Sequence, residues 1–250
     1  MKECKPKKTP MEKGFQYIED SEILTNIPYR QLIGGLMYLS TTSRPDISYL
    51  VHQTVSYLSR FLDSPTTETW NVGKRILRYL QGSKKLGLTY YKNTDCQITL
   101  NGYSDADWAT DKKDRKSVSG CILIYANNPI SWFSKKQNCV ALSTAEAEYI
   151  AAAQTAQDLI NVKGILGNFN VIVKKILYCD NKSTILMSNS NENSKRAKHI
   201  DIKNYFLKDL ISKKEVLMDY ISTEQNLADI LTKFLGTETF INLRNKIYVI

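Results

Sequence analysis

The chain has 250 residues, 42% of them hydrophobic and 10% aromatic, which suffices for one large or two small packed domains and sets aside disordered and fibrous classes. Its 34 Lys and Arg against 25 Asp and Glu leave a net charge of +9, favouring a polyanionic partner by counterion release, although a solvated lysine-rich surface accounts for the same excess equally well. No apolar run approaches the ~20 residues of a membrane span, the start MKECKPKKTP lacks an apolar leader core, and five scattered cysteines without a CxxC pair suggest neither a disulfide framework nor a zinc site.

Residues 1–27 are polar and basic with little periodicity and read as a tail or linker. From Pro45 to Leu62, apolar residues recur at helical spacing, and Ser64-Pro65 then opens a second helix that turns Trp70, Ile76, Leu77 and Leu80 toward a core and stops at Gly82. Leu86–Asn93 reads as a strand or extended bridge. A boundary is placed there, giving a mainly helical region over 1–93 and a second domain over 94–240.

Strand patterns dominate next. Gln97–Asp105, Ser117–Ala126 and Pro129–Lys135, parted by turn residues such as Asn127-Asn128-Pro129, suggest an antiparallel meander. Ser143-Thr144-Ala145-Glu146 is a capping-box signature for an alanine-rich helix to about Ile160, whose small residues allow close approach to a sheet. A buried strand over Val171–Cys179, a short helix near Lys182–Met187, a longer helix over Ser194–Ile211 and a strand over Glu215–Ser222 follow. The last helix begins near Asn226, aligns Leu227, Ile230, Leu231 and Phe234, and stops at Gly236. The order is βββαβαβα.

With only His52 and His199 in the chain, a divalent cation has to be held by carboxylates, which favours a hard ion such as magnesium. Asp105, Glu148, Asp180 and Asp229 stand at element ends that such a fold brings together. Taken singly, each reads as a turn, cap or solvated residue. Asp107 shares a strand face with Asp105 and is better explained as a turn or supporting group. Glu146 and Glu148, two residues apart on a helix, face different ways; Glu146 suits the capping role, and Glu148 shares its face with Ala145, Ala152 and Thr155.

The motifs themselves are more specific. YSDADWA at 103–109, SVSGCILIYANNPISWFSKKQNCVALSTAEAEYIA at 117–151, YCDNKS at 178–183, KHIDIKNYF at 198–206 and NLADILTK at 226–233 resemble the ribonuclease H segment of copia-type retrotransposon polyproteins. Upstream, YRQLIGGLMYLSTTSRPDISY at 29–49 and RILRYLQGSKKLGLTYY at 75–91 resemble the region between the reverse transcriptase palm and ribonuclease H of the same polyproteins. The resemblance covers nearly the whole chain. It implies an α/β, ribonuclease H-like mixed five-stranded sheet flanked by helices, behind a small, mainly helical region.

It also implies an Asp, Glu, Asp triad with a fourth Asp on the last helix, falling on Asp105, Glu148, Asp180 and Asp229. Those residues are then both catalytic and metal-binding, with two Mg²⁺ or alternatively Mn²⁺, and the substrate is the RNA strand of an RNA/DNA hybrid. Lys74, Arg75, Arg78, Lys84 and Lys85, together with Lys195, Arg196 and Lys198, are candidate phosphate contacts, with solvated helix faces as the plain alternative. Many cellular ribonucleases H carry a histidine before the final acidic helix; Ile221–Gln225 has none, Glu224 is the nearest substitute, and His199 is assigned to packing or substrate contact. The paired-aspartate YVDD-type motif of the polymerase palm is absent, so polymerase activity is not expected, and neither are the family's integrase and protease activities. The upstream reverse transcriptase domain is the expected protein partner, no membrane is expected, and the setting is intracellular, a cytoplasmic particle or the nucleus. The rival reading is a catalytically inactive or domesticated nucleic-acid-binding fragment of the same polyprotein. An integrase-like polynucleotidyl transferase shares the fold but needs a zinc-binding HHCC segment, which is missing.

Overall fold

A computed structural model describes residues 4–15, 22–52, 64–92, 98–111, 113–189 and 198–247, with backbone alone for 198–204. The chain forms two compact units, Met1–Thr89 with Lys233–Ile250, and Tyr90–Thr232.

The second unit is built on strands β1 (Thr99–Asp107), β2 (Val118–Tyr125), β3 (Asn128–Lys136), β4 (Lys174–Cys179) and β5 (Leu217–Tyr220) in the order β3-β2-β1-β4-β5. β1, β2 and β3 pair antiparallel, whereas β1, β4 and β5 run parallel. This is the ribonuclease H-like mixed sheet. The meander is local because short turns suffice between antiparallel strands; the parallel strands need helical crossovers. Helix α3 (Thr144–Gly167) makes the first of these, and α4 (Lys182–Asn189) with α5 (Lys198–Ser212) the second.

α3 lies close on the sheet because both sides of the contact are small. Ala152, Ala153, Ala156 and Leu159 join Leu100, Cys121, Leu123 and Leu177 in one buried cluster. Gly102 lies beneath the helix: a Cβ there would come 2.9 Å from Thr155 Cγ2 and 3.1 Å from Leu159 Cδ1. Ser143 caps the helix start as its sequence predicts, its Oγ accepting from Glu146 N at 3.2 Å, while Glu146 Oε2 accepts from Leu142 N at 2.8 Å, one residue before the N–H a capping box uses.

In the first unit, α1 (Tyr29–Thr42), a 3₁₀ turn (Pro45–Ile47), α2 (Thr67–Gly82) and α6 (Thr237–Ile247) enclose a separate core. Thr66 caps α2 through a reciprocal pair with Thr69, and Val72, Ile76 and Tyr79 form its buried face. Arg44 Nε and Nη2 donate to the two carboxylate oxygens of Asp46 at 2.9 and 2.8 Å, and Nη2 also donates to Ser83 Oγ at 2.7 Å. The Tyr79 hydroxyl donates to Asp46 as well, and Arg244 of α6 reaches that hydroxyl at 3.5 Å. Burial first, and then the Asp46 charge, push the Tyr79 phenol far above its ordinary range.

Several sequence expectations shift. The expected last helix from Asn226 is instead two 3₁₀ turns, Thr223–Gln225 and Leu227–Leu231, and the α-helix is α6, which Gly236 opens rather than ends. Phe234 leaves the Leu227 stripe and packs in the first unit against Tyr49, with ring centroids 4.9 Å apart. Leu86–Lys92 joins no strand of the five-stranded sheet. Of the residues read as a basic tail, Lys5–Lys7 run beside α2, and Thr9 and Met11 are buried. Of the expected helix from Pro45 to Leu62, residues 53–63 lie outside the described residues. Among the described residues, no helix is long and apolar enough to cross a membrane.

Candidate functional site

The parallel register between β1 and β4 brings the first two acidic residues together. Tyr103 pairs with Tyr178, so two residues further along each chain Asp105 and Asp180 reach the same edge of the sheet. The backbone ladder ends at that pair and side chains continue it: Ser104 Oγ donates to Tyr178 O at 3.2 Å, and Asn226 Nδ2 donates to Ser104 O at 2.9 Å. Asn226 is fully buried, and its Oδ1 accepts from Ala228 N at 3.1 Å. One amide thus caps the Leu227–Leu231 turn and fastens it to β1, which delivers Asp229 to Asp105.

Asp105, Asp180 and Asp229 each place a carboxylate oxygen within 4.8 Å of the other two, and Glu148, Cys179 and Asp180 form an overlapping group at the same spacing. Asp105 and Asp229 are buried, Glu148 is 7% exposed, and Asp180 is half-buried. All four acidic candidates are therefore neighbours, joined through Asp180. Two threonines orient them. Thr223 Oγ1 donates to Asp180 Oδ2 at 2.7 Å, and the buried Thr232 Oγ1 donates to Asp105 Oδ2.

Cys179 registers the convergence of charge. Burial first, then the carboxylate of Glu148 and, more weakly, those of Asp180 and Asp105, hold its thiol well above the usual cysteine range. The other donors of the two groups are all carboxylate oxygens, which suit a hard cation. Glu146 points elsewhere, committed to the helix cap. Asp107 is partly buried, and its carbonyl accepts from Thr110 Oγ1.

Sequence reasoning missed Asn226, Thr223, Thr232, Cys179 and Gly120. Gly120 stands opposite Asp105 on β2, and a Cβ on it would come 2.6 Å from Thr232 Cγ2, 2.9 Å from Leu231 Cβ and 3.0 Å from Ala228 O. Only a residue without a side chain lets the acidic turn sit on the sheet. Gly120→Ala is accordingly expected to move Asp229 and Thr232 away from Asp105 and to weaken cation binding at least about tenfold, a loss of about 1.4 kcal/mol; Mn²⁺ titration calorimetry measures it.

The candidate phosphate contacts fare unevenly. Arg75 pairs with Glu12 at 2.8 Å, Arg78 Nε donates to Lys5 O at 2.7 Å, and Lys74 lies 6.0 Å from the Trp70 ring centroid. Lys195 and Arg196 lie outside the described residues; Lys198 begins α5, and neither its side chain nor that of His199 is described. Glu224 is exposed in the first 3₁₀ turn.

No family model matches the chain. Over 249 residues, 96% of its length, it is 36% identical to the retrovirus-related Pol polyprotein from transposon TNT 1-94 of Nicotiana tabacum, of which it spans 18%. Among solved structures, a foamy viral protease-reverse transcriptase in complex with double-stranded DNA matches 82% of this chain and 33% of its own at 12% identity and a TM-score of 0.52, a likeness of fold. The N-terminal ribonuclease H domain of a Mycobacterium tuberculosis protein is matched over 96% of its length and 59% of this chain, at 12% identity and a TM-score of 0.40.

Proposed function

The chain belongs to the Pol polyproteins of copia-type retrotransposons, and from that premise we propose that its second unit is a ribonuclease H endonuclease that cuts the RNA strand of RNA/DNA hybrids. The observation that carries this reading is the convergence of Asp105, Asp180 and Asp229 within 4.8 Å, with Glu148 joined through Asp180. In this reading Asp105, Glu148, Asp180 and Asp229 would hold two Mg²⁺, with Mn²⁺ as a substitute; when bound, such ions would supply an activated water and neutralise the leaving oxygen of a phosphodiester.

The chain's own residues set the geometry. Asn226 fixes the turn that carries Asp229. Thr232 donates to one oxygen of Asp105 and Thr223 to one oxygen of Asp180, which restrains the planes of both carboxylates. Glu146 is kept out of the site by its capping bond to Leu142 N. Recognition of RNA through 2′-hydroxyls and hybrid groove shape would make the enzyme tolerant of base sequence. The first unit is read as the region that connects polymerase and ribonuclease H in these polyproteins, with the upstream reverse transcriptase domain as its partner.

The test is cleavage of a hybrid labelled on its RNA strand. The chain is expected to release short RNA products with Mg²⁺, to stop on addition of EDTA, and to leave the DNA strand intact. Hybrid binding without any metal-dependent cleavage would favour the inactive fragment instead.

A further inference from the structure

Two buried side chains grip the first turns of α3, and the helix itself needs neither bond. Gln137 is fully buried; its Nε2 donates to Ala147 O and to Ser119 Oγ, each at 2.9 Å, and its backbone N donates to Ser117 O at 2.8 Å. Thr184 of α4, also fully buried, donates from Oγ1 to Ala145 O at 3.1 Å. Carbonyls inside an α-helix already accept from the N–H four residues on, so these two donors fill no unmet acceptor. Gln137 also keeps its Oε1 in the interior without a hydrogen bond, a cost in stability that an apolar side chain of the same length does not carry.

The ends of these bonds lie beside the acidic residues. Ser119 pairs across the β1–β2 ladder with Ala106, the residue after Asp105, and Ala147 directly precedes Glu148. Thr184 N donates to Asn181 Oδ1 at 3.1 Å, so the start of α4 is tied to the residue that follows Asp180. One donor thus runs to α3 from the strands that carry Asp105, and the other from the helix that follows Asp180. We propose that Gln137 and Thr184 are positioning residues that fix the start of α3, so that Glu148 meets the group formed by Asp105, Asp180 and Asp229. The inference rests on the ribonuclease reading, which assigns Glu148 to cation binding. Glu148 shares its group with Asp180 alone of the three aspartates, so its place depends on how α3 is set against both neighbours. Around the helix start the packing is mostly alanine, with Ala106, Ala141, Ala147 and Ala151 in one buried cluster. Such small side chains pack closely but interlock little, and directional bonds set the register instead. Both residues act through the helix backbone.

The test uses the full chain with Gln137→Met, Thr184→Val and Thr184→Ser. The first two keep the size and remove the donor; the third keeps the hydroxyl. Mn²⁺ titration calorimetry reads cation binding without hybrid, thermal unfolding in EDTA reads the fold, and cleavage of a labelled hybrid with Mg²⁺ gives kcat and KM. Gln137→Met and Thr184→Val are each expected to weaken Mn²⁺ binding about tenfold, the lower end of what partners behind metal ligands contribute. In both, kcat is expected to fall by a similar factor while KM for the hybrid stays unchanged. Thr184→Ser is expected to bind and cut as the wild type does. Unchanged Mn²⁺ affinity in Gln137→Met and Thr184→Val, with or without a lower melting temperature, overturns the proposal, and so does an equal loss in Thr184→Val and Thr184→Ser. Where Gln137→Met fails to fold, the two Thr184 variants decide. A wild-type chain that neither binds Mn²⁺ nor cuts removes the ribonuclease reading and this inference with it. Wild-type binding and cleavage with unaltered variants removes the inference alone.

Discussion

Asp180→Asn is expected to abolish hybrid cleavage, by roughly 10³-fold or more, equivalent to about 4 kcal/mol of transition-state stabilisation. Asp180 belongs to both acidic groups, so its removal disconnects Glu148 from Asp105 and Asp229. The change is isosteric, and the amide oxygen still accepts from Thr223. The fold has no reason to suffer; without metal, removing one of several crowded negative charges should leave the melting temperature unchanged or higher. Cleavage rate and melting temperature in EDTA should thus move in different directions. Joint loss of activity and stability would mean that Asp180 is structural, and retained cleavage would remove it from the site.

The largest stability effect is expected in the first unit. Arg44→Ala removes the guanidinium that holds both oxygens of Asp46, a carboxylate only 2% exposed. A buried charge stripped of its partner costs about 3–5 kcal/mol, whereas replacing both members by apolar groups is often nearly neutral. Arg44→Ala is expected to lower stability on that scale, and Arg44→Met with Asp46→Leu to recover most of it. Because the chain has two compact units, hydrogen exchange is the suitable readout. Protection should fall over Pro45–Ile47 and α2 while β1 and β2 stay protected. Loss spread evenly over both units would contradict this role for the pair.

The meander and the α3 start were readable because their causes are local: turn residues at Asn127-Asn128-Pro129, period-two strands, and Ser143 with Glu146 three residues on. The split of the expected last helix was not. Leu227, Ile230 and Leu231 fit an α-helix or a tighter turn alike, and what decides between them is tertiary: Asn226 reaching Ser104 O, Thr232 donating to Asp105, and Gly120 making room. The same holds for Thr223, whose partner Asp180 lies 43 positions away. The basic start was unreadable for another reason. Lys5–Lys7 has no periodicity because it binds α2 through backbone groups and proline contact rather than an apolar stripe. At the acidic site, sequence reasoning named four carboxylates by resemblance and helix face, but the residues that aim them are neutral, and nothing in charge or spacing distinguishes them from ordinary turn and strand residues.

In the ribonuclease reading, folding gathers Asp105, Glu148, Asp180 and Asp229 around cations. Crystals of the chain soaked with Mn²⁺ test it directly through anomalous scattering. Peaks bounded by these four carboxylates, and their disappearance in Asp180→Asn, are the predicted result. Manganese bound elsewhere, or none bound at this edge of the sheet, would contradict it.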